Sequence, residues 1–434
     1  MNARTLAYNA VLKTIKEKSY SNLTIDSLLK ESDLSFKDKQ FASRIFYGIL
    51  ERKLTLDYQI KALTKKEVNK LDAEVLVALE LGLYQILYMD SVPDSAAVNE
   101  SVTIIKKSKK KSASGFVNGV LRNFLRSGKE LILPEDRYKK AEVLYSVPTD
   151  IIKLWERDYD FDTAILFAKE FLKEKPLNIR VNTLKISSDE LLKKLPEAKM
   201  HTIVTDCITM RNQGSVASLS GFNEGKFYVQ DASSQLCAMA VDPKEDEKIL
   251  DLCAAPGSKS FTVAQLANDK AKVYSFDLHN HRVKLISDGA KRLGITSITA
   301  MQGDATKFNP DLCGADKVLC DVPCSGLGII GRKPEIKYKA IEEINNLKDI
   351  QLSILENGSK YLKSGGVLVY STCALNKAEN EQVTEEFLKR NPDFKRDNLP
   401  EIFEKIVGEK VSEVTLSPLK GDFDGFFISR FIKK

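Results

Sequence analysis

The sequence predicts an α/β protein built on a doubly wound parallel sheet, preceded by an all-α N-terminal domain and a small α/β insert. Three observations carry this expectation. From Phe227 onward, short apolar runs alternate with helical stretches in βα order. Residues 1–127 show helical periodicity and nothing else. At 434 residues the chain is also too long for one compact core.

In the N-terminal domain, 1–127, Phe41, Ile45 and Ile49, with Phe46 and Leu50 beside them, give helical spacing on one segment from about Lys37 to Ala62. AEVLVALELGLYQILYM (73–89) is apolar nearly all round, as expected of a helix at the centre of a bundle. Pro93 opens another helix with Ser91 as its cap, and a further short helix covers about 113–126. Residues 128–148 hold two prolines and no sustained period, and read as a linker. The insert, 149–225, begins with a helix over about 150–173 that carries Trp155. A strand at 176–184, a lysine-rich helix and a second strand at 201–210 follow. The large domain, 226–434, offers strands at 248–253, 272–277, 298–304, 317–321 and 366–372, with 425–431 as an edge strand.

Composition narrows the function. Hydrophobic content of 43% and charged content of 29% are ordinary for a globular chain. No apolar stretch reaches the roughly 18 residues that span a bilayer, and the N-terminus lacks a signal core. A cytoplasmic protein with no membrane partner is expected. Seven cysteines without a C-x-x-C pair, and three histidines (His201, His279, His281), fit neither a disulfide framework nor a zinc site. No metal is expected. Residues 1–130 hold 22 Lys and Arg against 15 Asp and Glu, a net of +7, while the remainder nets −1. The run KKSKKK (106–111) crowns that excess. It reads equally well as a solvated helix end and as a contact for a polyanion such as nucleic acid.

Doubly wound sheets bind ligands beyond the carboxyl ends of their strands, and the polar residues of this chain gather there. The first strand runs into DLCAAPGSKS (251–260), a small-residue turn that lets a ligand approach the backbone and a helix N-terminus. It is neither G-x-G-x-x-G nor a Walker loop. Asp277 ends the second strand, placed to accept hydrogen bonds from ribose hydroxyls. Asp304 closes the third, where it could meet an adenine edge, and Asp321 closes the fourth. With no phosphate loop, a nucleoside without phosphates fits best, and S-adenosylmethionine is the evident candidate. Two turns each end in a cysteine: DVPCSG (321–326) places Cys324 after a proline, and VYSTCAL (369–375) holds Cys373.

LDLCAAPGSKS, DVPCSGLG and YSTCAL together resemble the signatures of the RNA (cytosine-5) methyltransferases. FYVQDASSQL (227–236) and DGFFISRF (424–431) are similar to that family as well. The resemblance covers about residues 140–434, and the helical region before it resembles the NusB antitermination fold. It implies an S-adenosylmethionine-dependent methyltransferase sheet of Rossmann-like form. Cys253, Ala254, Ala255, Pro256, Gly257, Ser258 and Lys259 would line the cofactor loop, and Asp277, Asp304 and Asp321 would complete the pocket. The combined layout implies 16S rRNA as partner, met as naked RNA by a monomer. Ser258 stands where the family usually has a second glycine, Leu327 where it has a small or hydroxyl residue, and NKAENE (376–381) where NPEENE is commoner.

The chemistry explains why a thiol is wanted. Cytosine C5 is a poor nucleophile, and adding a thiolate to C6 converts the ring to an enamine whose C5 can accept a methyl group. Such a cysteine must be partly exposed in an electropositive setting near a strand end. The residues alone do not choose between Cys324 and Cys373. The family pattern implies attack by Cys373 and product release assisted by Cys324, with Asp321 hydrogen-bonding the flipped-out cytosine. A tRNA substrate, and a non-catalytic RNA adaptor acting through the helical domain, are the alternatives. DNA methylation lacks an inserted target-recognition region.

Overall fold

A computed structural model of the chain describes residues 2–17, 21–211 and 216–434. They form two compact units. The first contains the chain through Leu172 together with Lys333–Tyr338, and the second contains Lys173–Arg332 and Lys339–Lys434.

The first unit is helical. Its centre is Ala73–Tyr88, in which every residue from Val75 to Ile86 is buried, as the all-round apolar pattern requires. One charge lies inside that run: Glu80 is paired with Lys53 at 2.6 Å, and burial pushes its carboxyl up to about 8. The single helix expected over 37–62 is two, Phe36–Glu51 and Lys53–Thr64, because Arg52 leaves helical geometry at φ −101°, ψ 13°. The apolar spacing continues across the break, so periodicity did not register it.

The stretch 128–148 differs from the linker expected. Asp136 caps a helix at Arg137–Tyr145 by accepting from the N–H groups of Tyr138 and Lys139. That helix is tied to Lys53–Thr64: Thr55 Oγ1 donates to Val143 O at 2.7 Å, and Leu54 N–H to Ser146 Oγ at 3.0 Å. Gln59 bonds both backbone groups of Ile132. Helices Thr149–Asp158 and Phe161–Glu170, with Trp155 packed between Phe167 and Phe171, belong to this unit as well. A distant segment completes it: Tyr338 donates its hydroxyl to Leu50 O at 2.7 Å, and Lys337 Nζ donates to Glu51 O at 2.6 Å.

The second unit holds two sheets. A small antiparallel one is made of β1 (Leu177–Val181), β2 (Lys199–Met200), β3 (Cys207–Met210) and β4 (Phe227–Val229), in the order β2-β3-β1-β4. The large sheet uses β5 (Lys248–Asp251), β6 (Lys272–Asp277), β7 (Ile298–Gln302), β8 (Ala315–Asp321), β9 (Leu362–Thr372), β10 (Phe394–Arg396), β11 (Glu413–Leu416) and β12 (Phe426–Lys433). Its order is β10-β12-β9-β8-β5-β6-β7, with β11 also on β12. The five strands from β5 to β9 run parallel, and β12 is antiparallel to β9. β12 is therefore interior, where an edge strand was expected: β10 and β11 are too short to read from sequence, yet they pair with its far side.

Both faces of this sheet are covered. Ile249, Leu319, Val367 and Val369 point into one core, and Leu250, Val318, Leu368 and Tyr370 into the other. The strand order reverses at β5, which has β6 on one side and β8 on the other. That is the switch point at which such sheets open a ligand crevice.

Candidate active site

β5 ends at Asp251, and residues 252–257 turn the chain into helix Ser258–Leu266. Gly257 sits at φ +108°, and a Cβ there would lie 2.5 Å from the Phe261 ring, so the turn demands glycine. Ala254 N–H donates to Phe276 O and Gly257 N–H to Ala254 O, both at 2.7 Å, which curls the loop against β6. Ser258, Lys259 and Ser260 then carry first-turn N–H groups that have no intrahelical acceptor. Ser258, in place of a glycine, is simply the first helical residue.

Beneath the loop, Asp251 Oδ2 accepts from Ser260 Oγ at 2.6 Å, and Ser275 Oγ donates to Ser260 Oγ at 2.8 Å. Asp251 Oδ1 is buried without a hydrogen-bond partner among the described residues. Burial pushes this carboxyl up to about 7.

Three acidic residues expected at strand ends are found there, in different states. Asp277 accepts the His279 N–H at 3.0 Å and pairs with Arg282 at 3.3 Å, while Arg282 also reaches Ala255 O at 3.1 Å. Arg282 thus links the end of β6 to the loop. Asp304 lies two residues beyond β7. Thr306 donates to its Oδ1 from both N–H and Oγ1, and these bonds hold its carboxyl below the usual range. Asp321, the last residue of β8, is the centre of a chain: its Oδ2 accepts from Lys259 Nζ at 2.7 Å and its Oδ1 from Ser371 Oγ at 2.8 Å. The Lys259 side chain is only 13% exposed, yet the Asp321 carboxylate holds its ammonium above the ordinary range.

The two cysteine turns meet. Cys324 Sγ lies 3.0 Å from Cys373 Sγ, and the Cys373 N–H donates to Cys324 Sγ at 3.3 Å. Both residues are partly exposed. The hydrogen bond to Cys373 and then burial push the Cys324 thiol well up, and the charge of Glu379 adds to this. Of the remaining cysteines, Cys207, Cys237 and Cys320 are buried, Cys313 is exposed, and Cys253 is partly exposed with its thiol pushed well up by burial.

The motif NKAENE (376–381) holds both cysteine turns, a task its sequence alone does not declare. Glu379 Oε2 accepts from Ser325 N–H at 2.8 Å and from Gln351 Nε2 at 3.0 Å, and its Oε1 accepts from Asn376 Nδ2 at 2.8 Å. Gln351 also donates to Pro323 O at 3.0 Å. Asn380 Oδ1 accepts from Thr372 Oγ1 at 2.6 Å, and its Nδ2 donates to Ala374 O at 2.9 Å. Glu379 therefore fixes the turn around Cys324, and Asn380 fixes the turn around Cys373. Their close spacing in a polar motif just after a candidate nucleophile was the available signal.

Known proteins resemble this chain along its whole length. The model of the family described as 16S rRNA methyltransferase RsmB/F matches residues 238–432, a range holding both cysteine turns and every acidic strand end. The NusB family model matches residues 1–126. The "Probable ribosomal RNA small subunit methyltransferase B" of Bacillus subtilis is 37% identical over 446 residues, covering 100% of this chain and 99% of that protein. The chain belongs to the ribosomal RNA small subunit methyltransferase B family. Another relative in this family, from Escherichia fergusonii, is 33% identical over 443 residues, covering 100% of this chain and 99% of its own. Among solved structures, that of PH0851 aligns over 100% of this chain and 99% of its own, with TM-score 0.85 and 26% identity. A methyltransferase homologue from Pyrococcus horikoshii aligns over 69% of this chain and 100% of its own, with TM-score 0.59 and 27% identity. Membership in the methyltransferase B family makes this chain an rRNA methyltransferase with a NusB-type helical domain. Among the described residues, no group of three or more His, Cys, Asp or Glu is placed to hold a metal ion, and no helix is long and apolar enough to cross a membrane.

Proposed function

We propose that the protein methylates C5 of a cytosine in 16S rRNA with S-adenosylmethionine, through a covalent bond between Cys373 and C6 of the base. The 3.0 Å approach of the sulfurs of two partly exposed cysteines, together with the Lys259–Asp321–Ser371 chain, carries this reading. Cysteines that only pack are usually buried.

The residues present suit the cofactor. The Gly257 turn leaves helix N–H groups and loop backbone open to a ligand, and the neighbouring carboxylates suit ribose hydroxyls and a positively charged sulfonium. Residues 253–259 would cradle it, Asp277 would accept from the ribose, and Asp304 would face the adenine. S-adenosylmethionine supplies an electrophilic methyl group.

The chain's own residues do the rest. Asp321, oriented from both sides by Lys259 and Ser371, accepts a hydrogen bond from the exocyclic amine of the flipped-out cytosine. The Cys373 sulfur adds to C6, and the displaced electron pair makes C5 nucleophilic. Once C5 is methylated, a water molecule takes its proton, the C5–H electron pair restores the C5–C6 double bond, and the C6–S bond breaks. Cys324, still a thiol, then donates a hydrogen bond to the departing Cys373 sulfur. The test is to supply labelled S-adenosylmethionine with protein-free rRNA, intact small subunits or tRNA and to map the labelled base. Label on C5 of one rRNA cytosine is expected, and label confined to tRNA would overturn the substrate assignment.

A further inference from the structure

We infer that Cys324 and Cys373 form a modification site: a peroxide-class oxidant joins them in a reversible disulfide that switches the enzyme off. A disulfide needs its sulfurs at about 2.05 Å, and these two already stand at 3.0 Å. The Cys373 N–H···Sγ contact at 3.3 Å holds the Cys324 sulfur against the backbone of its partner. Both turns are anchored from behind, by Glu379 to Ser325 and by Asn380 to Thr372 and Ala374. Pairing therefore needs a small approach of the side chains and no rearrangement of the strands. Both residues are also partly exposed.

The two positions have unequal chemistry. Cys373 is the attacking sulfur of the proposed mechanism, and the inference rests on that reading in taking it to react first. Its electron pair attacks one peroxide oxygen, the O–O bond breaks, and the leaving oxygen takes a proton and departs as water when the oxidant is hydrogen peroxide. This leaves a sulfenic acid on Cys373. The Cys324 sulfur then attacks that sulfur, and the sulfenic oxygen leaves as a second water, carrying the Cys324 proton. Two thiols have lost two electrons and one peroxide has gained them. A dithiol reductant reverses the bond by exchange. The pairing also spares Cys373 from irreversible oxidation, because its first oxidised form is consumed at once.

The inference rests on sulfur geometry, and the experiment reads it without any methyl transfer. The full-length protein is treated with equimolar hydrogen peroxide and analysed by intact mass and peptide mapping. The expected product has lost two hydrogens, contains a 324–373 cross-link, and returns to the starting mass with dithiothreitol. In Cys324→Ser the cross-link should vanish and Cys373 should appear as a sulfenic acid trapped by dimedone. Circular dichroism should be unchanged in both proteins. Separate oxygen adducts on the two cysteines of the wild type, or cross-linking only through the exposed Cys313, would overturn the inference. So would a 324–373 bond that forms only in urea.

Discussion

Glu379 provides the sharpest test of how the site is held. Its carboxylate is 1% exposed and accepts three hydrogen bonds, from Ser325, Gln351 and Asn376. Glu379→Ala would leave Ser325 N–H and Asn376 Nδ2 without this acceptor and Gln351 Nε2 with Pro323 O alone. At about 1–3 kcal/mol for each unpaired group, partly relieved by water entering the space, the loss should be about 3–5 kcal/mol. That is a large share of the ~5–15 kcal/mol that stabilises a domain. Glu379→Gln keeps the shape and one acceptor oxygen but turns an amide toward another donor, and should cost about 2 kcal/mol. The charge acts separately: a carboxylate beside Cys324 opposes a second negative charge on that thiol. Glu379→Gln should therefore move the pH midpoint for alkylation of Cys324 downward, whereas a purely structural role would leave it in place. Urea titration gives the first quantity, and peptide-resolved alkylation across pH gives the second. A Glu379→Gln protein with the wild-type urea midpoint and the wild-type alkylation profile would refute the reasoning.

Asp277→Ala should weaken S-adenosylmethionine binding by roughly 1.5–3 kcal/mol, the scale of a hydrogen bond to a charged group, and unchanged calorimetric affinity would remove Asp277 from the pocket. Asp251, whose carboxyl is pushed up to about 7, favours the folded state most when protonated, so its contribution is lost as pH rises from about 4 through about 7. In Asp251→Asn that fall in stability should flatten, and an identical pH profile by denaturant titration would contradict the burial argument. Lys107, Lys109 and Lys111 of the basic run are exposed, while Lys110 is paired with Asp72 at 2.8 Å. Replacing Lys107, Lys109 and Lys111 by alanine should weaken rRNA binding and reduce the slope of log affinity against log salt by about 2 if they meet phosphates. A slope equal to that of the wild type would assign the run to solvent alone.

The sequence foretold most of what depends on long or repeated patterns. Strands β5, β6, β8 and β9 are apolar runs buried on both faces, and each stands out between turn residues. The cysteine turns and the loop at 253–259 are distinctive because glycine, proline and cysteine have few other reasons to occur together. What escaped notice depends on contacts distant in sequence. Nothing local at Arg52 stops the helical period, and the helix at Arg137–Tyr145 has too weak an apolar stripe to declare itself before Thr55 and Gln59 are seen to bind its flanks. β10 and β11, of three and four residues, are below the length at which alternation is visible, so β12 passed for an edge. Glu379 and Asn380 read as an ordinary polar turn, because their partners lie on three other segments of the chain.

The central claim is the division of labour between two sulfurs, and a single gel tests it. Cys324→Ala, Cys373→Ala and the wild type are each incubated with protein-free 16S rRNA and S-adenosylmethionine, then resolved by denaturing electrophoresis. Cys324→Ala should attack and methylate but release poorly, leaving a protein–RNA species that survives denaturation, while Cys373→Ala should form none and transfer no methyl group. An adduct that accumulates with Cys373→Ala and is absent with Cys324→Ala would reverse the roles. Full activity in both variants without any adduct would contradict the covalent mechanism itself.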